Sequence, residues 1–181
     1  MINICVKLLF GLRFCWMKLI YHGRITTSGF VFIEKDVSFI IDKGARVHLN
    51  DRVYLKKGCI LECRGSGRMI LHSGTSIGHY SWIGCTEFVE IGPKALIGHC
   101  CTLFDVYHLK VKDRPMADQG YEKGALVLGS DVIITAKCTV GANLSIADGV
   151  IVASNSVVTR SISEPHVIYG GSPARKIKER D

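Results

Sequence analysis

The sequence predicts a parallel β-helix, a solenoid of short strands wound into triangular coils, and three observations carry that prediction. From Leu128 to Val158 an aliphatic residue falls at every sixth position: Leu128, Ile134, Val140, Ile146, Val152 and Val158. A helix repeats at about 3.6 residues and a strand at about 2, so a strict period of six needs three strand-and-turn segments per coil. Four residues after each anchor stands a second inward candidate, Val132, Cys138, Leu144, Val150 and Ser156, most of them small or β-branched and suited to tight corners. The same grammar recurs upstream as Leu49, Leu55 and Leu61, as Leu71, Ile77 and Ile83, and as Ile91, Ile97 and Leu103, each with small partners such as Cys59, Ser81 and Cys101.

Taken from the N-terminus, residues 1–30 read as an amphipathic helix, over about 3–21, and a linker. Cys5, Leu8, Leu9, Leu12, Trp16, Leu19 and Ile20 form one face at i, i+3, i+4 spacing, with Lys7 and Lys18 opposite. Lys7, Arg13 and Lys18 break the apolar run too often for a transmembrane span or a signal peptide. Two readings stand side by side. The helix is a cap on the open end of the solenoid, or it lies on a membrane surface. No acidic residue precedes Glu34, four basic ones occur by Arg24, and Phe10 and Phe14 lie off the apolar face.

Residues 31–160 form the repeat, of coils of about 18 residues and on the order of six turns at the strand spacing. Slips fall near 62–70 and 85–90, and one long interruption at 109–126. Residues 161–181 read as a last strand at Val167–Tyr169, a Gly170-Gly171 turn and a short cap helix opening at Pro173. A chain of 181 residues with 48% hydrophobic content fits one such domain, and 19 glycines suit its many turns.

The eight cysteines make no C-x-x-C pair, and Cys59, Cys101 and Cys138 occupy the small inward position of a repeat, as compact apolar fillers. That usage favours a reducing, cytoplasmic setting. An 18-residue excursion in a fold of tight turns is a functional signal, and it starts directly after Phe104-Asp105-Val106-Tyr107-His108. His108 is therefore the candidate functional histidine. The repeat also stacks Ile77-Gly78-His79 beneath Ile97-Gly98-His99. That pair is a potential ligand ladder or a coincidence of spacing, and no metal site is assigned.

The stretches Gly129-Ser130-Asp131-Val132-Ile133-Ile134, Ile146 to Arg160, and Tyr169-Gly170-Gly171-Ser172-Pro173-Ala174-Arg175 resemble the hexapeptide-repeat acyltransferases. The branch they resemble holds the maltose, galactoside, streptogramin and polysaccharide O-acetyltransferases. The resemblance, over about residues 31–180, implies a left-handed coil, against the usual hand of parallel crossovers, and a homotrimer with active sites between subunits. It implies that His108 is the general base, taking a proton from a sugar or alcohol hydroxyl as that oxygen attacks the thioester of acetyl-CoA, with no acyl-enzyme. Asp105 would orient the imidazole. It further implies that the pantetheine arm lies against Ala136 and Ser154, while Thr159, Arg160, Arg175 and Lys178 meet the phosphates of CoA through charge-assisted hydrogen bonds. Ile133 stands where many relatives carry tryptophan, and residues 77–92 lack the small-sugar enzymes' asparagine.

The expected function is O-acetylation of a sugar hydroxyl of a surface polysaccharide or its lipid-linked precursor. Partners would be acetyl-CoA and a saccharide, with peripheral contact on the inner face of a membrane. Acetylation of an antibiotic or free small sugar is the alternative. A γ-type carbonic anhydrase shares the solenoid but needs an H-x-x-x-x-H spacing that this chain lacks. The net charge of +7 does not point to nucleic acid, because four basic residues fall in the N-terminal helix region and five more between Arg160 and Arg180, where membrane and CoA phosphate account for them.

Overall fold

The computed structural model describes residues 4–181, with side chains from Leu8 onward. Each coil gives one short strand to each of three sheets, of six, eight and six strands and parallel except for the last strand of the eight, so the body is a triangular prism. The period-six anchors become stacked columns inside it. On the second face Ile33 pairs in register with Leu55, Leu55 with Ile77, Ile77 with Ile97, Ile97 with Ile134, and Ile134 with Val152. All six anchors from Leu128 to Val158 are buried, as are Val132, Cys138, Leu144, Val150 and Ser156. Each fully buried Leu, Ile or Val contributes about 1.5–3 kcal/mol, and the neighbouring coil supplies most of its cover.

Coil length is not uniform. Ile25 pairs with Val47 and Val47 with Met69, a step of 22 residues, whereas Leu126 pairs with Leu144, a step of 18. The early third-face strands run four residues, Ser38–Ile41, Ile60–Cys63 and Trp82–Cys85, against two at Thr139–Val140. The slips in the sequence repeat near 62–70 and 85–90 are these wider coils. From the second coil onward, at least two corners of each coil pass through left-handed backbone. One corner uses Asp36, Gly58, Tyr80, Cys100, Lys137 and Asn155. A side chain there costs about 1–2 kcal/mol, offset by the coil-to-coil hydrogen bonds that the corner closes, such as Cys100 N–H to the His79 carbonyl at 2.8 Å.

Burial raises the pKa of the Cys59 thiol to about 12, as befits a core filler. The buried polar side chains are paired. Thr75 donates to the Gly92 carbonyl at 3.0 Å, and Ser81 donates to Gly98 at 2.8 Å while accepting from Cys101 N–H.

Helix α1, Ile4–Ile20, caps the first coil, but by a different face from the one its leucines mark. Met17 is 2% exposed, and Phe10, Phe14 and Tyr21 pack edge-on or tilted against Phe32, Phe30 and Phe39. The leucine face points outward. Cys5 and Lys7, which the sequence places on opposite faces, lie outside the described side chains.

The C-terminal cap helix expected from Pro173 is not formed. Val167–Gly171 turns back on itself, and Ala174–Glu179 is a strand paired antiparallel with it, Gly171 opposite Ala174 and Ile168 opposite Lys178. The physical reason is the open edge of the eight-stranded sheet. It offers a full ladder of unpaired backbone groups, which outweighs the modest helix propensity of a short basic segment. Arg180 locks the strand down, with Nη1 2.8 Å from Asp131 and donating to the Gly149 carbonyl at 3.2 Å.

Candidate active site

The 109–126 interruption is the tip and return limb of a β-hairpin arm. Val106–His108 leaves the third face and pairs antiparallel with Tyr121–Lys123, His108 opposite Tyr121. The chain leaves because Val106, Tyr107 and His108 have no coil to follow, and the arm closes where Gly124 N–H donates to the Asp105 carbonyl at 2.9 Å. Gln119 staples the tip by accepting from Val111 N–H at 2.6 Å and donating to the Val111 and Arg114 carbonyls. His108 ends the outgoing limb, exposed, its ring 4.6 Å from that of Tyr121.

Asp105 does something other than orient that ring. It follows Phe104, which pairs with Gly84, and so takes the column position next to Cys85 and Cys63. Fully buried, its carboxylate accepts from the backbone N–H of Thr86, Glu87 and Phe88 at 2.7–2.9 Å. Three donors converging on two oxygens compensate a buried charge, and they hold the wide corner at 86–88. Its partners are those amides, and the expected bond to His108 is not formed.

Sequence reasoning missed the aromatic neighbours. Trp82, Phe104 and Tyr107 form an aromatic run that ends at the base of the arm, with ring centroids 6.4 Å and then 5.4 Å apart. The Tyr107 hydroxyl seats so closely on the Gly141 backbone that a methyl there would collide with it. The Phe-Asp-Val-Tyr-His run held that signal, but outward residues follow no core period.

The small residues Ala136 and Ser154 stack at one corner of successive coils, tied by Asn155 N–H to the Ala136 carbonyl at 3.0 Å, with Ser154 Oγ 3.1 Å from Thr135 Oγ1. His99 and His79 continue the same column, as the spacing predicts, through Lys137 N–H to His99 and Cys100 N–H to His79. His79 Nε2 lies 3.6 Å from Glu34. Among the described residues no three His, Cys, Asp or Glu side chains gather as a metal-ligand group.

Arg160 and Arg175 come together on a pocket of about 190 Å³, with Ser161, Tyr169 and Ala174 beside them. Thr159 is exposed next to Arg160. Lys178 is not in that pocket; its ammonium is paired with Asp181 at 2.8 Å.

No protein-family model matches the chain. A putative lipopolysaccharide biosynthesis O-acetyl transferase, WbbJ, of Escherichia coli strain K12 is 32% identical over 130 residues, 67% of this chain and 66% of that protein. A probable macrolide acetyltransferase of Lysinibacillus sphaericus is 44% identical over 69 residues, 38% of each chain. The chain spans only 27–56% of the length of that protein and of the chloramphenicol acetyltransferases it also matches. Among solved structures, AntD, an N-acyltransferase from Bacillus cereus crystallised with dTDP and 3-hydroxybutyryl-CoA, superposes with a TM-score of 0.74 at 24% identity, covering 92% of this chain and 88% of that one. Such a superposition is fold alone, and it carries the hand of the coil, which is left. A left-handed solenoid of hexapeptide coils with a hairpin arm defines the class. The chain belongs to the hexapeptide-repeat acyltransferase family.

Proposed function

We propose that this chain is an acetyl-CoA-dependent O-acetyltransferase that acts on a sugar hydroxyl of a surface polysaccharide or its lipid-linked precursor. The observation that carries the reading is His108, exposed at the end of the outgoing limb of the long excursion from the coils, in a family whose members transfer acyl groups. His108 takes the proton of the acceptor hydroxyl. The oxygen forms its bond to the acetyl carbonyl carbon, the carbon–sulfur bond breaks, and the imidazolium returns the proton to the departing thiolate. No nucleophile on the protein is required.

The residues fit the co-substrate. Arg160 and Arg175 share one pocket and, among the described residues, make no ion pair, so both are available to phosphate. Ala136 and Ser154 leave room along their corner for a narrow chain. Thr159 stands at the pocket's edge, and Lys178 is a weaker candidate because Asp181 already neutralises it. The aromatic run of Trp82, Phe104 and Tyr107 gives a saccharide ring an apolar surface at the base of the arm that carries His108. A homotrimer is part of the proposal. Leu109, Val111, Met116 and Tyr121 on the arm are all exposed, and covering them against a neighbouring solenoid would complete a site that one chain leaves open. The cysteine usage suits the cytoplasm, and among the described residues no helix is long and apolar enough to cross a membrane.

The test is mass spectrometry of the host's surface glycans with the wild-type chain, with His108→Ala, and with neither. The wild type alone should add one acetyl increment per modified sugar. In vitro, His108→Ala should lower turnover about 10²–10⁴-fold with acetyl-CoA affinity and oligomeric state retained. Near-normal transfer by that variant would remove His108 from the mechanism. The macrolide and chloramphenicol relatives favour a second reading, acetylation of an antibiotic. Unchanged glycans together with acetyl transfer to such a drug would establish it instead.

A further inference from the structure

Helix α1 presents two apolar faces, and the solenoid uses one. Phe10, Phe14, Met17 and Tyr21 cap the first coil, the Tyr21 hydroxyl donating to the Phe39 carbonyl at 2.8 Å. The other face carries Leu8, Leu9, Leu12, Trp16, Leu19 and Ile20, with Leu12 68% and Trp16 64% exposed. Six large apolar side chains at helical spacing form a contiguous stripe that the chain's own core leaves largely uncovered. The stripe runs into a cleft of about 510 Å³ between helix and first coil, where Trp16 and Ile20 face Val37 and Phe39.

The charges beside the stripe choose its occupant. Arg13 and Arg24 border it, each also donating to a carbonyl of the first coil, Ile33 and Ile41, while Lys18 lies off it above the Phe14 ring, and no acidic residue occurs before Glu34. A second copy docked face to face would set like charges against each other, with no carboxylate on the helix to answer them. An anionic lipid surface answers the uncompensated positive charge of this end of the chain and accepts the leucines and Trp16 together. Glu34 and Asp36 lie on the coil side of the cleft, and Glu34 is neutralised by Lys56 at 3.3 Å.

We infer that the outward face of α1, from Leu8 to Ile20, is a docking surface for an anionic bilayer, inserting in the plane of the headgroups while the opposite face holds the solenoid. The inference does not rest on acetyl transfer, so the two fail separately.

The full chain is sedimented with vesicles of phosphatidylcholine alone and of phosphatidylcholine with phosphatidylglycerol, at low and high salt. The wild type should bind the anionic vesicles, bind the neutral ones more weakly, and release in high salt. Leu12→Gln with Trp16→Gln should weaken binding about tenfold or more without lowering the thermal midpoint, because both side chains are already in water. Lys18→Glu should weaken only the anionic case. Acetyl transfer to a soluble acceptor, measured on the same preparations, should be unchanged. A wild type that leaves anionic vesicles in the supernatant overturns the inference, as does a double variant that binds as the wild type does. So does a double variant whose oligomer falls apart without lipid, since the face would then be covered by another copy.

Discussion

The buried carboxylate of Asp105 is offset by three backbone N–H groups, so its removal should be felt in the fold before it is felt in the chemistry. Asp105→Asn turns an amide donor towards those donors and loses bonds worth about 1.5–3 kcal/mol each to a charged group. The variant should melt at a lower temperature and exchange faster at Thr86–Phe88. If it kept its stability and altered only the pH profile of turnover, Asp105 would be partner to His108 after all. At the phosphate pocket, Arg160→Ala or Arg175→Ala should raise the KM for acetyl-CoA about tenfold with kcat nearly unchanged, the mark of lost uniform binding. Lys178→Ala should do much less, because Asp181 already holds that ammonium. His108 was legible in the sequence because an insertion marks it. The surroundings of Asp105 were not, because a separation of three residues does not say which way a side chain turns at a coil corner, and its partners lie a full coil away at residues 86–88.

Among the elements, the hairpin arm is the most separable. Its tip at 109–120 has no buried residue, and the Gln119 side chain closes it with three backbone contacts beside the Leu109 N–H to Gly120 carbonyl bond. Gln119→Ala should therefore speed hydrogen exchange across the tip while leaving the thermal midpoint of the solenoid unchanged. A fall in the midpoint would show that the arm supports the coils. The coils themselves were readable because a period of six admits one geometry, and every anchor from Leu128 to Val158 is buried. Helix α1 was readable as a helix but not in its orientation. Two apolar faces compete for the coil end, and the bulkier aromatic face of Phe10 and Phe14 wins by stacking on Phe32 and Phe30. The last segment failed for a related reason. Its residues read as helix in isolation, and the sheet edge that captures Ala174–Glu179 is built by strands remote in sequence.

At the scale of the molecule, a solenoid is held together coil by coil, so local electrostatics decides which end opens first. The first coils are joined by carboxylates that reach to the next. Asp42 accepts from Gly65 N–H at 2.8 Å and meets Arg64 at 3.4 Å, and that backbone bond above all holds its pKa below the ordinary 3.8. Burial works to raise that of Glu34, but the Lys57 N–H, Lys56 and His79 outweigh it and hold it below 4.5. A depressed carboxyl contributes stability that is fully present above its unfolded pKa and is lost as pH falls from there through the folded value. Acid should therefore loosen the N-terminal coils below about pH 4.5, starting with Glu34 and following with Asp42. Hydrogen exchange read coil by coil should show the amides of Lys57 and Gly65, which donate to those carboxylates, opening before those of Thr139 and Ile151, which sit in ladders of backbone paired with backbone. Glu34→Gln with Asp42→Asn should lower stability at neutral pH and flatten its acid dependence. Coils that open from the C-terminal end first, or a double variant as acid-sensitive as the wild type, would show that these two carboxylates do not set the order of opening.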